Sequence, residues 1–147
     1  MDKSDSSKAQ RIAQAAGAFE QQTTGRAPKS VTVVISEDTL VVTLRGTFSP
    51  AETALAKTPD GAIQLREFHR QLFTTASKSL RDEIRRITGA EVREATAEIE
   101  TSTGTVVQVF LLARAVPAET WSGSALGQNG SGQGVERSDD ASDGMSR

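Results

Sequence analysis

Two short blocks constrain this chain more than anything else in it: Gly25-Arg26-Ala27-Pro28-Lys29-Ser30 and Gly46-Thr47-Phe48-Ser49-Pro50-Ala51-Glu52. In the first, Gly25 stops a helix, and Pro28 forbids its continuation while pushing Ala27 toward extended backbone. In the second, Gly46 ends a hairpin and Ser49 caps a new helix. Pro50 is preorganised at the first helical position, and Glu52 reaches back to the cap. The two blocks set the limits of four elements.

Ser7 followed by Gln10 predicts a capping box, and Ile12, Ala15, Ala16 and Phe19 recur at helical spacing behind it. Between the blocks, Val31 to Ile35 and Leu40 to Leu44 read as β-branched strands joined at Glu37-Asp38. A two-residue loop there sets Ile35 against Leu40, Val33 against Val42 and Val31 against Leu44, all on one face. Val34–Val41 and Thr32–Thr43 fall on the other. The short helix begun at Pro50 ends at Thr58-Pro59-Asp60-Gly61, where Thr58 caps a second helix running to about Thr88, with Gly89 as its stop. At about 1.5 Å per residue this helix is on the order of 45 Å long, more than a small sheet can cover, so a bend or a partner chain is expected. Leu65, Phe68, Leu72, Phe73, Ala76, Leu80, Ile84 and Ile87 share its apolar face, and Arg66, Arg70, Lys78, Arg81 and Arg85 an adjoining one.

Glu91 to Glu100 and Thr105 to Ala113 form a second hairpin, with Ser102-Thr103-Gly104 as a three-residue loop and Gly104 left-handed. That loop pairs Ile99 with Val107, Ala97 with Val109 and Ala95 with Leu111. It leaves Val106, Gln108, Phe110 and Leu112 on the face of Glu94, Thr96, Glu98 and Glu100, a face read as solvent-facing and partly covered, by a subunit in the oligomer reading. From Pro117 the composition collapses to Gly, Ser, Ala, Gln and acids, and this tail is expected to be disordered. The expected architecture is α+β in the order α-β-β-α-α-β-β, two hairpins in one antiparallel sheet covered by the long helix. Its limits are a flexible stretch at 1–6, one domain at 7–116 and the tail at 117–147.

The 147 residues carry 17 Lys+Arg against 19 Asp+Glu, a net charge of −2. The tail alone holds five acids and two arginines, so removing its −3 leaves the rest at +1. That balance makes no electrostatic case for nucleic acid or an anionic membrane. Disulfides and thiolate metal sites are excluded, because there is no cysteine. Met1-Asp2-Lys3-Ser4-Asp5 is followed by no apolar segment, so no signal peptide is expected. The longest apolar stretch, Val106 to Val116, falls short of the roughly 20 residues of a spanning helix. The expectation is a soluble, cytoplasmic protein.

Order and spacing of several blocks make the chain resemble the MpsC family, small, mostly uncharacterised proteins named after a component of a sodium-translocating, membrane-potential-generating system. The resemblance spans Ser7 to Leu112. It rests on Gly25-Arg26-x-Pro28-Lys29-Ser30-Val31, on Leu44 to Glu52 with Leu55-Ala56-Lys57-Thr58, on Thr88-Gly89, and on Glu98-Ile99-x-Thr101-x-Thr103-Gly104 with Phe110. Ala27, Thr53 and Glu98 depart from the residues usual there (Gly, Lys and Asp). The resemblance implies a soluble domain acting as an accessory to membrane transport components.

Site candidates are few. His69 is the only histidine and sits on the apolar helix face near Leu65 and Phe73, which favours a buried or interface histidine over catalysis or metal binding. Glu83 lies roughly 20 Å along the same helix, too far for a dyad. Arg26 is read as pairing with helix carbonyls or with Glu52 rather than holding an anion. No phosphate-binding glycine motif and no Gly-x-Ser-x-Gly elbow occurs. The arginine face is read as solvated and salt-bridged, with Asp82 pairing with Arg85 and Arg86, and Trp121 as an exposed tail residue. No catalytic, cofactor-binding or metal site is expected. The structural and interaction candidates are Gly25, Arg26, Pro28, Gly46, Ser49, Pro50, Glu52, His69, Gly89 and Gly104. The expected function is a non-enzymatic, homo-oligomeric accessory or scaffold domain supporting a membrane ion-transport system, without direct membrane insertion. The alternative is a nucleic-acid-binding module using the basic helix face, and for it the dilution by Glu67 and Asp60 and the lack of interleaved aromatics are unfavourable.

Overall fold

Capping chemistry starts the helices. In the computed structural model, which describes residues 7–117 and residue 121, Ser7 Oγ accepts from the Gln10 amide while Gln10 Oε1 accepts from the Ser7 amide, opening α1 (Lys8–Thr24). Gly25, at φ 83°, closes it. The strands β1 (Ser30–Ser36) and β2 (Thr39–Arg45) pair antiparallel in the expected register, Val31 with Leu44, Val33 with Val42 and Ile35 with Leu40. Glu37 takes the left-handed turn position at φ 57°. Ser49 and Glu52 form the second capping box, at the start of α2 (Pro50–Leu55). Thr58 Oγ1 accepts from the Gly61 amide at the start of α3 (Pro59–Ala76).

The long helix is two helices. After α3 the chain turns at Ser77 and continues as α4 (Lys78–Thr88), so the order is α-β-β-α-α-α-β-β. Ser77 is buried and keeps helical bonds on both sides, from its own amide to Phe73 and from the Arg81 amide to its carbonyl, each 2.9 Å. The turn lets α3 follow β3 while α4 packs against α1, burying Leu80, Ile84 and Ile87 that a straight rod would carry past the sheet. Within α3 the inward face is narrower than expected: Leu65 and Phe73 are buried, whereas Phe68 is 53% exposed and outside the core.

The second hairpin, β3 (Val92–Glu100) and β4 (Thr105–Leu112), pairs one residue away from the expected register. Ile99 faces Val106, Ala97 faces Gln108 and Ala95 faces Phe110. The cause is the turn: Glu100 pairs with Thr105, so the loop holds Thr101 to Gly104, four residues rather than three. Gly104 is left-handed at φ 75°, and a Cβ there would press on the Phe48 ring, which packs beneath it. Because the side-chain period of a strand is two, the shift puts Val106, Gln108, Phe110 and Leu112 in the interior and Val107, Val109 and Leu111 on the opposite face.

The strand order is β1-β2-β4-β3, with β1 and β3 at the edges and a bulge in β3 between Val92 and Glu94. One face is covered by α1, α3 and α4. There Phe73 meets Phe19 edge-on at 6.1 Å and Phe110 at 6.0 Å, over Leu40, Val42 and Leu44. Among the described residues no helix covers the other face. Thr47 ties the hairpins together, its buried hydroxyl donating to the Gly104 carbonyl at 2.6 Å. Trp121 is not an exposed tail residue: it is 8% exposed and belongs to the core cluster, and its carbonyl accepts from the Ala9 amide. The rest of the expected tail lies outside the described residues, apart from Pro117.

Candidate functional site

Three elements bring buried polar groups to one cleft. α1 contributes Glu20, α3 contributes His69 with Arg66 and Arg70, and β4 contributes Gln108, around a narrow, part-open space walled by Phe19, Phe73 and Ile99. His69 is positioned through α2. The Ser49 amide donates to Glu52 Oε1 at 2.9 Å, which fixes the carboxylate, and Glu52 Oε2 lies 3.1 Å from His69 Nε2. Burial pushes the Glu52 carboxyl up, but the hydrogen bonds from Ser49 and His69 outweigh this and hold it below its ordinary value. An ionised carboxylate only accepts, so Nε2 carries the proton. Phe68 stands edge-on to the imidazole at 5.5 Å and Phe48 lies 6.0 Å away.

Glu20 is shifted the other way. It is 4% exposed, its Oε2 is buried without a partner, and burial pushes its carboxyl up, with the charge of His69 pulling it part of the way back. Gln108, 1% exposed, likewise leaves Oε1 without a partner. Among the described residues no three His, Asp or Glu side chains are grouped to hold a metal ion.

The remaining candidates are dispersed. Gly25 and Gly89 end α1 and α4 with positive φ, and Gly46 and Gly104 do so at the strand ends. Pro28 precedes β1, and Ser49 and Pro50 start α2. Arg26 does not pair with Glu52: its Nε is buried without a partner, and its amide and carbonyl bond instead to Thr24 Oγ1. The basic face is divided at Ser77 and its cations are mostly engaged. Arg70 bonds Glu67 and Glu98, Arg85 bonds Glu91, Arg86 bonds Glu83, and Arg81 donates to the Val92 carbonyl. Asp82 pairs with Lys78 rather than with Arg85 or Arg86.

Glu20 and Gln108 are absent from the candidates that sequence reasoning names. Glu20 had a signal: it follows Ile12 by eight residues and Ala16 by four, so a charge occupies a position of the buried stripe. Gln108 shares its strand face with Val106 and Phe110, but its inward direction depends on the loop length, which the three-residue reading got wrong by one residue.

Residues 4–114 match the family described as Na+-translocating membrane potential-generating system (MpsC). The chain belongs to the MpsC family. It is also 30% identical over 112 residues to the uncharacterized protein YbcI of Bacillus subtilis (strain 168), covering 76% of this chain and 90% of that one. No solved structure matches it. In this MpsC chain, two of the residues that depart from the usual pattern, Ala27 and Thr53, are exposed, and the third, Glu98, bonds Arg70 at the cleft. No helix among the described residues is long and apolar enough to cross a membrane.

Proposed function

We propose that this MpsC chain is a non-enzymatic accessory domain that works as a homodimer joined edge to edge through β1, and that it supports a membrane ion-transport system from outside the bilayer. The transport link is carried by the family's description. The dimer is carried by the β1 edge. Edge strands are normally defended by charge, proline or a bulge. β3 has all but the proline, with Arg93, Glu94, Glu98 and Glu100 and the bulge after Val92. β1 reads Ser-Val-Thr-Val-Val-Ile-Ser and has none.

That sequence is also self-complementary. A two-fold axis through Val33 sets Val31 against Ile35 of the second copy, Thr32 against Val34, and Ser30 against Ser36. Val34, 53% exposed, gains cover, and it continues the uncovered apolar face through its pair Val41 and onward to Val109. The over-long helix no longer argues for a partner, since it bends at Ser77. The test is light scattering on the wild type and on Thr32→Lys/Val34→Lys, whose side chains lie on the outer face. A wild-type dimer at micromolar concentration and a folded monomeric variant are expected. A monomeric wild type, or a variant that stays dimeric, overturns the reading.

A further inference from the structure

Two acceptors in the cleft are satisfied by nothing in the chain. Glu20 Oε2 and Gln108 Oε1 are both buried without partners, on side chains more than nine-tenths buried, and both residues line the same space. Leaving a buried acceptor unpaired costs about 1–3 kcal/mol, more when it is charged, and native proteins rarely leave two together. Farther out, at less buried positions, stand Arg66 and Arg70. Arg70 is already held by Glu67 and Glu98. Arg66 makes no hydrogen bond or ion pair with a charged side chain among the described residues, although its charge acts on Glu100. The cleft thus offers acceptors and negative charge at its buried end and an unengaged guanidinium at its outer end.

We propose that this cleft binds a small zwitterion of the amino-acid type, its protonated primary amine on Glu20 Oε2 and Gln108 Oε1 and its anionic group on Arg66. A water could bridge the two acceptors but brings only two donors and no charge, whereas an ammonium supplies three donors and a positive charge that offsets the burial acting against the Glu20 carboxylate. A guanidinium pairs with a carboxylate or phosphate through two parallel N–H donors. The cleft is narrow and open to solvent on one side, with Glu20 and Gln108 lining it together with Arg66, so it suits a small molecule that leaves one end at the surface better than a nucleotide. The Gln108 amide can turn end for end, and the acceptor orientation is the one that shares a cation with Glu20. This site is independent of the β1 edge.

The test is calorimetry and thermal shift on the dialysed full chain with each free L-amino acid and with O-phosphoethanolamine, using the N-acetylated form of any binder as control. At least one probe should bind saturably, and acetylation should weaken it about tenfold or more, since it removes the charge and two donors. Glu20→Gln and Arg66→Ala should each weaken it by a similar factor while circular dichroism stays unchanged. Gln108→Leu, which removes the acceptor without leaving a polar group, should weaken it as well. No binding by any probe, equal binding of the acetylated form, or full affinity in Glu20→Gln would overturn the proposal and leave the two acceptors to water alone.

Discussion

His69 Nε2 lies 3.1 Å from Glu52 Oε2, so the carboxylate that closes the N-terminal cap of α2 also fastens α3. One side chain thereby serves a local and a tertiary role, and the two can be separated. Glu52→Ala removes both and should lower stability by about 1–2 kcal/mol in urea melts. His69→Ala spares the capping box and should cost less in the same melts than Glu52→Ala does.

The pH dependence of stability should carry two opposed contributions. The Glu52 carboxyl is held below its ordinary value, so its contribution is present above that value and is lost as pH falls through its folded pKa. The Glu20 carboxyl is raised, so the native state binds a proton more tightly there, and stability falls as pH climbs from the ordinary carboxylate value through the folded pKa. Glu20→Gln should abolish that decline and raise stability at neutral pH by about 1 kcal/mol. Urea denaturation across pH, wild type against variant, reads both, and a Glu20→Gln curve parallel to wild type would contradict the assignment.

Gly61 has no room for a side chain. A Cβ there would run into the Leu55 backbone carbonyl at the end of α2, and backbone cannot swing away as a side-chain tip can. Gly61→Ala should therefore cost about 3 kcal/mol or displace α2, although alanine is the better helix former. A melting temperature equal to wild type would show that the connection between α2 and α3 is looser than its geometry.

Trp121 is the only tryptophan, and its burial beside the start of α1 makes it a reporter. Native emission should be blue-shifted and should move red in one transition with the far-ultraviolet signal. Trp121→Ala should cost about 3–5 kcal/mol. A red-shifted native spectrum would put the side chain in water.

Much of this fold is written locally. Both capping boxes, the Thr58 cap, the glycine stops and the register of the first hairpin follow from residues within a few positions of one another, where the physics is short-ranged. What escaped the sequence is set by distant partners. Ser77 lies in a continuous helical pattern with no local stop signal, and the helix beyond it is the one that packs against α1. Ser102-Thr103-Gly104 reads as a three-residue loop, and the longer loop that forms instead turns Phe110 inward against Phe73. The same choice hid Gln108, and with it the cleft. Trp121 sits in a polar stretch that composition alone assigns to solvent, and its place in the core comes from contact with α1.

The unequal edges of the sheet carry a last implication. Once two copies have joined through β1, the strands left outermost are both β3, and each presents charges and a backbone kink where a newcomer would have to dock. Growth would then terminate at the pair. In the proposed dimer, a chain whose central valines could otherwise seed open-ended stacking would be limited to a finite particle, and raising its concentration should populate the pair without ever producing filaments.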